Sequence, residues 1–327
     1  MSDNCRNCGT ANLTQLFNAP GFDNSPKLAD LNFDLAICDQ CAITSTLDPQ
    51  QHIENAYTEE YYGTPNNKFL AVIENSVSAA ANIRAKHLLK LWHGAKQQSH
   101  QVSVLDIGCG RGVLLRAFKS QGARILGLER EGFVADEEGL AEISSGSIFN
   151  AGYADRKFDI IVLWHVLEHL ENQDTLLDHL SGKLNSGGLL VLAVPNFGSW
   201  QQKLFGKYWF HLDLPRHLVH IDANWLREGL SQRSYRVLKE NHIDILQNIY
   251  GFVQSALNTL ALSRQNSLYR ALKKSEGTSF SSILILLAWT LPTTLLFPFA
   301  IVELCLSGIF KKGATVQFVA KIEKAHD

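Results

Sequence analysis

The chain has 327 residues, of which 46% are hydrophobic and 19% charged. This is an ordinary globular composition with ample core, and the length favours about two domains. The formal net charge of −2 gives no electrostatic reason to expect nucleic acid as a partner. The polar residues 1–4 lack the basic and apolar parts of an export signal, so we expect a cytoplasmic protein.

Two C-x-x-C pairs open the chain: Cys5 with Cys8, and Cys38 with Cys41. In a cytoplasmic chain of this size, such cysteines favour a metal over disulfides. Four thiolates close a tetrahedral zinc site that has no open position for catalysis. We therefore predict a zinc-ribbon-like module over residues 1–45 with a structural Zn²⁺. Iron or redox chemistry is the alternative, because the two pairs are unusually far apart.

Residues 46–100 are predicted to form a helical linker or cap, since apolar residues recur there at spacings of three and four. Three tyrosines, Tyr57, Tyr61 and Tyr62, lie near its start. Packing is the first interpretation of these tyrosines, and contact with a cofactor or substrate is the second.

Residues 104–112 form an apolar run that ends in a turn. The run carries an acid and three glycines: Asp106, Gly108, Gly110 and Gly112. Glycines suit positive φ, and the helix behind them offers free N–H groups. A dinucleotide site would need G-x-G-x-x-G. Here the third glycine comes one residue early, and the acid would repel a pyrophosphate but can accept hydrogen bonds from an ammonium group. Glu129 ends the next predicted strand, where a carboxylate can accept two ribose hydroxyls.

With this turn and Glu129, the chain resembles the class I, Rossmann-like S-adenosylmethionine-dependent methyltransferases. Their first motif has the form D-x-G-x-G-x-G, and their second strand ends in an acid. The resemblance implies an α/β fold with a seven-stranded sheet whose last strand is antiparallel. It also implies S-adenosylmethionine as the cofactor, bound by Asp106, Gly108, Gly110, Gly112, Glu129 and Ser147. Ser147 replaces the acid that the family often uses for the adenine amino group.

Residues 158–164 are predicted to form a buried strand. The next five, His165 to His169, match the H-x-x-E-H signature of one zinc-protease class. A catalytic zinc would need a third protein ligand and a helical setting, whereas this segment leaves a strand for a turn. The methyltransferases that the chain resembles carry the same motif after their fourth strand without a metal. The resemblance places His165 beside the methyl-transfer pocket and makes Glu168 and His169 structural; a zinc hydrolase is the alternative.

Residues 208–220 follow the fifth predicted strand, at the edge where open α/β sheets hold ligands. This loop contains Arg216 and three histidines: His211, His217 and His220. A histidine can remove the proton of a substrate hydroxyl as it attacks the sulfonium methyl group, and an arginine can hold a phosphate or carboxylate. Packing of the loop is the alternative for each histidine.

An insertion over residues 247–312 precedes the last predicted strand. It begins with a predicted helix over 250–272 and continues with 281–310, a run whose only charge is a glutamate. The run is longer than the about 18 apolar residues that mark a membrane-spanning candidate. Lysine pairs at 273–274 and 311–312 suit anionic lipid head groups.

The last strand is expected to return to the sheet, so both ends of the apolar run lie on one side of a membrane and a single crossing is excluded. Pro292 and Pro298 divide the run into halves too short to span. This favours a re-entrant or monotopic hairpin that makes peripheral membrane contact; a buried helical hairpin and a dimer interface are the alternatives. A similar insert occurs in bacterial methyltransferases of surface-polysaccharide and lipid metabolism. The cysteine segment likewise resembles a zinc-binding domain ahead of some sugar-modifying methyltransferases.

The predicted organisation has five parts: a zinc-ribbon-like module (1–45), a helical linker or cap (46–100), a Rossmann-like core (101–246), a membrane-seeking helical insert (247–312), and the last strand with a tail (313–327). The predicted activity is methyl transfer to an oxygen of a saccharide or lipid-linked saccharide, at the cytoplasmic face of the inner membrane; carbon or nitrogen is the alternative acceptor atom. The catalytic candidates are His165, His211, His217 and His220. A cofactor-binding module without catalysis is a further alternative.

Overall fold

The computed structural model describes residues 4–22, 28, 31–49, 52–53, 56–57, 71–94, 101–130, 143–149, 156–260, 265–272 and 280–323. Tyr61, Tyr62 and the lysine pair at 273–274 lie outside the described residues.

The central sheet has seven strands. They are β4 (Ser103–Ile107), β5 (Arg124–Glu129), β6 (Ile143–Ser145), β7 (Phe158–Trp164), β8 (Leu184–Pro195), β10 (Tyr235–Asn241) and β11 (Thr315–Ile322). Their spatial order is β10-β11-β8-β7-β4-β5-β6. β11 runs antiparallel to both of its neighbours, whereas the strands from β8 to β6 pair in parallel. The predicted seven-stranded α/β sheet with an antiparallel last strand is therefore confirmed.

Helices cover both faces of this sheet. They include α1 (Ala71–Gly94), α2 (Val113–Ser120), α3 (Gln173–Gly182), α4 (Trp200–Phe205) and α5 (Ala223–Gln232). Alternate residues of β7 point to opposite faces, so Ile160 and Val162 pack with α1 and α2, while Ile161 and Leu163 pack with α3 and α5. Burial on both faces explains why β7 is a continuous apolar run.

A second, antiparallel sheet holds the N-terminal segment: β1 (Leu13–Pro20), β2 (Asn32–Cys38), β3 (Thr44–Thr46) and β9 (Val219–His220). β3 pairs with β9, which belongs to the loop after β8. Cys5, Cys38 and Ile43 share one hydrophobic cluster with Leu167 of the core. The N-terminal module is thus joined to the core by strand pairing and by packing.

The insertion differs from the prediction in two ways. The single helix predicted over 250–272 is two helices, α6 (Ile245–Thr259) and α7 (Ser267–Leu272). The predicted hairpin is wrong, because the apolar run is one helix, α8 (Phe280–Ile309), that continues through both prolines.

Packing on both sides of the prolines explains the continuity of α8. A proline inside a helix removes a hydrogen bond and costs about 3 kcal/mol. Trp289, before the prolines, and Ala300, after them, belong to the same hydrophobic cluster as Phe252 of α6 and Leu268 of α7. These contacts hold both halves of α8 along one line, which the sequence of the run does not reveal.

Candidate active site and metal-binding cysteines

The turn after β4 has the geometry that its glycines predicted. Gly108 and Gly110 have φ values of +67° and +51°, which side chains disfavour. A Cβ on Gly108 would lie 2.3 Å from Cγ2 of Val166. Helix α2 starts directly after this turn, and its N-cap residue offers no side-chain hydrogen bond. The first N–H groups of α2 are therefore open to a ligand.

Asp106 and Glu129 lie at the carboxyl ends of adjacent strands beside this turn. Burial raises the pKa of Asp106 to about 8, and the charge of Glu129 adds to this shift, whereas the charge of Arg84 opposes it. Glu129 Oε2 accepts a 2.8 Å hydrogen bond from the N–H of Gly110. The structure thus brings the glycine turn and both acids into one site, whose two carboxylates suit a cationic ligand.

Ser147 is exposed in the loop after β6. Its Oγ accepts a hydrogen bond of 3.3 Å from the N–H of Phe149. The neighbouring Gly146 donates its N–H to the carbonyl of Glu129 at 3.0 Å, so this loop stays beside the acid that ends β5. Residues 131–142 lie outside the described residues.

Helix α1 supplies two ionic contacts that sequence reasoning missed. The Arg84 guanidinium lies 3.4 Å from the centroid of the Trp164 ring and carries the positive charge that acts on Asp106. Glu74 pairs with Arg111 of the glycine turn at 3.2 Å. These contacts fasten α1 across the site. They join residues far apart in sequence, so no local pattern predicts them.

A cavity of about 410 Å³ lies beyond the carboxyl ends of β7 and β8. One wall is the segment after β7. Val166 of this segment lies against Gly108 of the glycine turn. The loop before β9 and helices α1, α6 and α7 contribute to the other walls. Four aromatic side chains line it together: Phe22, Phe210, Tyr250 and Tyr269. The centroids of their contacting rings are 5.2 to 6.5 Å apart.

Two polar side chains after β7 face this cavity: His165 is half-buried and Glu168 is buried. His165 has a φ of +55°, and its Nδ1 lies 3.3 Å from Oε1 of Glu168. Within the described residues, His165 Nε2 and both oxygens of Glu168 are buried without a hydrogen-bond partner. We expected Glu168 to be structural, but its carboxylate lines the cavity. Contacts between segments distant in sequence direct the carboxylate of Glu168 into the cavity, so the H-x-x-E-H motif alone could not predict its position.

His169, expected to be structural, contacts two other elements. Its Nδ1 lies 3.0 Å from the carbonyl oxygen of Arg216 and 3.1 Å from the hydroxyl of Tyr57. Tyr57 also receives the guanidinium of Arg130 over its ring at 4.0 Å. Tyr57 thus contacts the cavity wall, and Tyr61 and Tyr62 lie outside the described residues.

The three loop histidines have different surroundings. His211 and His217 line the cavity; His211 Nε2 lies 3.2 Å from the carbonyl of Gln247, and His217 Nδ1 lies 2.9 Å from the carbonyl of His211. His220 does not line it, because its Nε2 meets the hydroxyl of Thr46 at 3.0 Å, in the seam with the N-terminal sheet. Burial lowers the pKa of His211 and His220 to about 3. Both therefore stay neutral near pH 7.

Arg216 is committed to the protein itself. Its guanidinium pairs with Asp213 and donates to the carbonyl of Ala56 at 3.1 Å. The side chain is buried. These partners fix the loop, so Arg216 shapes the cavity wall and leaves the predicted anion-binding role without structural support.

The four N-terminal cysteines converge from two matching turns. In each turn the first cysteine accepts a backbone hydrogen bond from the residue four positions on, Gly9 for Cys5 and Ala42 for Cys38. In both turns the donor residue has a positive φ, +74° for Gly9 and +59° for Ala42. The sulfurs of Cys5 and Cys41 are 3.5 Å apart, those of Cys8 and Cys38 are 3.6 Å apart, and all four lie within 4.8 Å.

These distances fit a tetrahedral metal site. Zn–S bonds of about 2.3 Å separate the sulfurs of such a site by about 3.8 Å. The thiols are free rather than disulfide-bonded. The donor set would hold a structural Zn²⁺ and join the two turns.

Comparisons with known proteins agree with this geometry. A family model described as "Methyltransferase domain" matches residues 8–240. A ubiquinone biosynthesis O-methyltransferase from Chelativorans sp. is 29% identical over 153 residues, 43% of this chain and 60% of that protein. One from Histophilus somni is 24% identical over 186 residues, 52% of this chain and 74% of that protein.

A solved structure shows the same fold. A Galdieria sulphuraria protein assigned as a sarcosine dimethylglycine methyltransferase has a TM-score of 0.50 and 12% identity, covering 84% of this chain and 99% of that one. The family match spans most of the chain and includes the glycine turn, Asp106 and Glu129. The chain spans 60% of the length of the Chelativorans relative and belongs to the methyltransferase-domain family.

Proposed function

We propose that the chain methylates a hydroxyl oxygen of a lipid-linked acceptor, with a saccharide as its head group. The observation that carries this proposal is the cavity beside the cofactor turn. Its lining includes the polar pair His165 and Glu168 together with aromatic and aliphatic side chains. An acceptor with a hydroxyl beside that pair and an apolar remainder would match this mixed lining.

S-adenosylmethionine supplies an electrophilic methyl group on a sulfonium. The acceptor oxygen forms the new bond to the methyl carbon as the carbon–sulfur bond breaks, and sulfur keeps the electron pair. The hydroxyl proton needs an acceptor. Glu168 lies 3.3 Å from His165 Nδ1, which favours the proton on that nitrogen and leaves Nε2 as the base. Alignment in the cavity supplies the rest of the rate enhancement.

The head group is argued from the cavity walls. Phe210, Tyr250 and Tyr269 offer apolar ring faces that suit the C–H face of a sugar. The same walls would suit a flat aromatic ring, and the relatives named for ubiquinone biosynthesis make a quinone-type acceptor the second candidate. Both candidates carry a hydroxyl and a lipid tail, so they share the reaction and differ in the ring.

Helix α8 supports a lipid-linked acceptor and a place at the cytoplasmic face of the inner membrane. Among the described helices, it is the one long and apolar enough to cross a membrane by length and composition. Leu291 and Leu295 are 67% and 62% exposed. Because β11 returns to the sheet directly after α8, we propose that the helix lies along the bilayer surface rather than crossing it.

The first experiment incubates the full chain with methyl-labelled S-adenosylmethionine and a lysate of its source. Label is then counted in the lipid extract and in the water-soluble fraction. Asp106→Ala removes the buried acid of the cofactor site, and Glu228→Ala, an exposed acid on α5, is the matched control. Label in lipid that is lost only with Asp106→Ala supports the proposal, and acid hydrolysis then separates a methylated sugar from a methylated quinone ring. Label confined to the aqueous fraction would refute the lipid-linked acceptor.

A further inference from the structure

Glu168, His169 and His217 form a cluster that the methyl-transfer argument does not use as a unit. One ligand atom from each of the three side chains lies within 4.8 Å of the others. Glu168 and His169 follow β7, whereas His217 comes from the loop before β9. All three line the cavity. The cluster therefore exists only because the fold brings two segments, about 50 residues apart, to one wall.

Backbone carbonyls fix the protonation of both imidazoles. His217 Nδ1 lies 2.9 Å from the carbonyl oxygen of His211, and His169 Nδ1 lies 3.0 Å from that of Arg216. A carbonyl oxygen can only accept, so each Nδ1 carries the proton and each neutral ring keeps a lone pair on Nε2. Metal-ligating histidines are oriented by this type of second contact.

The Glu168 carboxylate places further hydrogen-bond acceptors beside these imidazole lone pairs, which would themselves need a donor. Its side chain is 2% exposed, and His165 Nδ1 lies 3.3 Å from Oε1, but neither oxygen accepts a hydrogen bond from the described residues. His217 Nε2 lies 3.9 Å from Oε1. A buried carboxylate without a hydrogen bond is costly, and on the His217 side it faces an imidazole lone pair. A bound cation would satisfy the carboxylate and both rings at once.

We propose that Glu168, His169 and His217 bind a divalent transition-metal ion, at a second metal site distinct from the four cysteines. Two imidazoles and one carboxylate are a donor set typical of zinc, iron or cobalt with positions left open. Bonds of about 2.1 Å place ligand atoms about 3.4 Å apart, so small side-chain rotations close the cluster around the ion. The open positions face the cavity.

The role of this ion rests on the proposed function. A hydroxyl of the acceptor that coordinates a divalent ion loses its proton more readily, which would favour its attack on the methyl group. An acceptor with two neighbouring oxygens would bind in chelate form. Ion binding itself needs neither acceptor nor turnover, so the two proposals can fail separately.

The test is metal uptake by the full chain. Protein purified with its cysteine site loaded is dialysed against excess Co²⁺ and then against buffer, and metal per chain is measured by mass spectrometry. The wild type should hold two ions. Glu168→Gln and His217→Gln should each hold one, whereas His220→Gln, a buried histidine of the same loop outside the cluster, should hold two.

The visible spectrum of Co²⁺ adds a second readout. Thiolate ligands give sulfur-to-cobalt charge-transfer bands, and the proposed nitrogen–oxygen site gives only ligand-field bands. With the cysteine site kept loaded with Zn²⁺, which has no ligand-field bands, the ligand-field bands should vanish in Glu168→Gln and persist in His220→Gln. Calorimetric binding of S-adenosylmethionine shows that each variant is folded; if a variant fails that check, His169→Gln takes its place. One ion per wild-type chain, or two ions in every folded variant, would overturn the proposal.

Discussion

Asn7 and Asp174 exchange two hydrogen bonds between the first cysteine turn and the start of α3. The Asn7 amide donates to the Asp174 carboxylate at 2.6 Å, and the backbone N–H of Asp174 donates to Asn7 Oδ1 at 3.0 Å. Beside them, Arg6 pairs with Glu171 at 2.5 Å, and its carbonyl accepts the N–H of Asn172 at 2.8 Å. The cysteine turn therefore holds the segment that directly follows Glu168 and His169.

Replacing Asn7→Ala should loosen that segment while leaving the cofactor site intact. The Asp174 carboxylate keeps its pair with Arg233 at 2.7 Å, but the backbone N–H of Asp174 loses its acceptor, which costs about 1 to 3 kcal/mol. We expect KM for the acceptor to rise several-fold, with the Kd of S-adenosylmethionine and the zinc content unchanged. Steady-state kinetics measures KM for the acceptor, and calorimetry measures the Kd of S-adenosylmethionine. Asn12→Ala, an exposed asparagine of the same module, is the control, and equal effects in the two variants would contradict the positioning role.

Loss of the cysteine-bound metal should destabilise the whole chain, because Cys5 and Cys38 belong to the main hydrophobic cluster. Cys38→Ser should lower the zinc content by one ion per chain and cost about 3 kcal/mol or more. For a chain of this size, that lowers Tm by about 4 °C or more. Cys305→Ser, at an exposed cysteine of α8, should change neither quantity. An unchanged zinc content in Cys38→Ser would exclude the four-cysteine site.

Cofactor affinity should depend on pH through Asp106. Burial, reinforced by Glu129 and opposed by Arg84, raises the pKa of Asp106 to about 8. The ionised carboxylate binds an ammonium group better, so affinity should rise by up to about tenfold per pH unit below 8. It should stop rising there, because an α-ammonium group, with an ordinary pKa of about 7.7 to 8.0, then loses its own proton. Calorimetry between pH 6 and about 9 would show this slope. Asp106→Asn should bind weakly with no slope, and a wild type without a slope would contradict the prediction.

The same group has a defined effect on folding. The pKa of Asp106 in the folded chain lies above its usual value of 3.8, so between these two values the folded state binds more protons than the unfolded state. The stability of the chain without cofactor should therefore fall as pH rises from about 4 to about 8, as far as Asp106 contributes. Asp106→Asn should remove that part of the decline in denaturant titrations.

Gly108→Ala should be far more damaging than Gly110→Ala. The added Cβ at position 108 would lie 2.3 Å from Val166, whereas at position 110 it would meet no atom of the described residues within 4 Å. Both have positive φ, which costs about 1 kcal/mol in each variant. We expect Gly108→Ala to abolish cofactor binding and Gly110→Ala to weaken it. The double variant Gly108→Ala/Val166→Ala should regain part of the affinity; no recovery would mean that the contact is not the cause.

Contact of α8 with lipid can be measured by flotation with vesicles of anionic phospholipid. The wild type should float, and Leu291→Glu/Leu295→Glu should remain in the dense fraction, since both positions are exposed and a buried charge is costly. Ile83→Glu, at an apolar residue of α1 that is 71% exposed, is the control and should still float. Unchanged flotation of the α8 variant would indicate that α8 has a packing role and not a membrane role. If the wild type is a dimer and the α8 variant is a monomer, α8 is a dimer interface.

Local sequence determined the parts of the protein that depend on spacing along one segment. The glycine turn needs positive φ at fixed positions. The two C-x-x-C turns likewise have a positive φ four residues after the first cysteine, at Gly9 and at Ala42. The apolar run of β7 reflects burial on both faces of a central strand. Each feature is encoded in residues that are neighbours in the chain, so the sequence by itself was sufficient to predict it.

Tertiary structure decided which side chains share the acceptor cavity. His211 and His217 face it while His220, three residues later, meets Thr46 across a strand pair. Glu168, which the sequence assigned a structural role, lines the cavity. Helix α8 is continuous through Pro292 and Pro298 because α6 and α7 support both of its halves. These outcomes depend on contacts between distant segments, whose energies no local pattern contains.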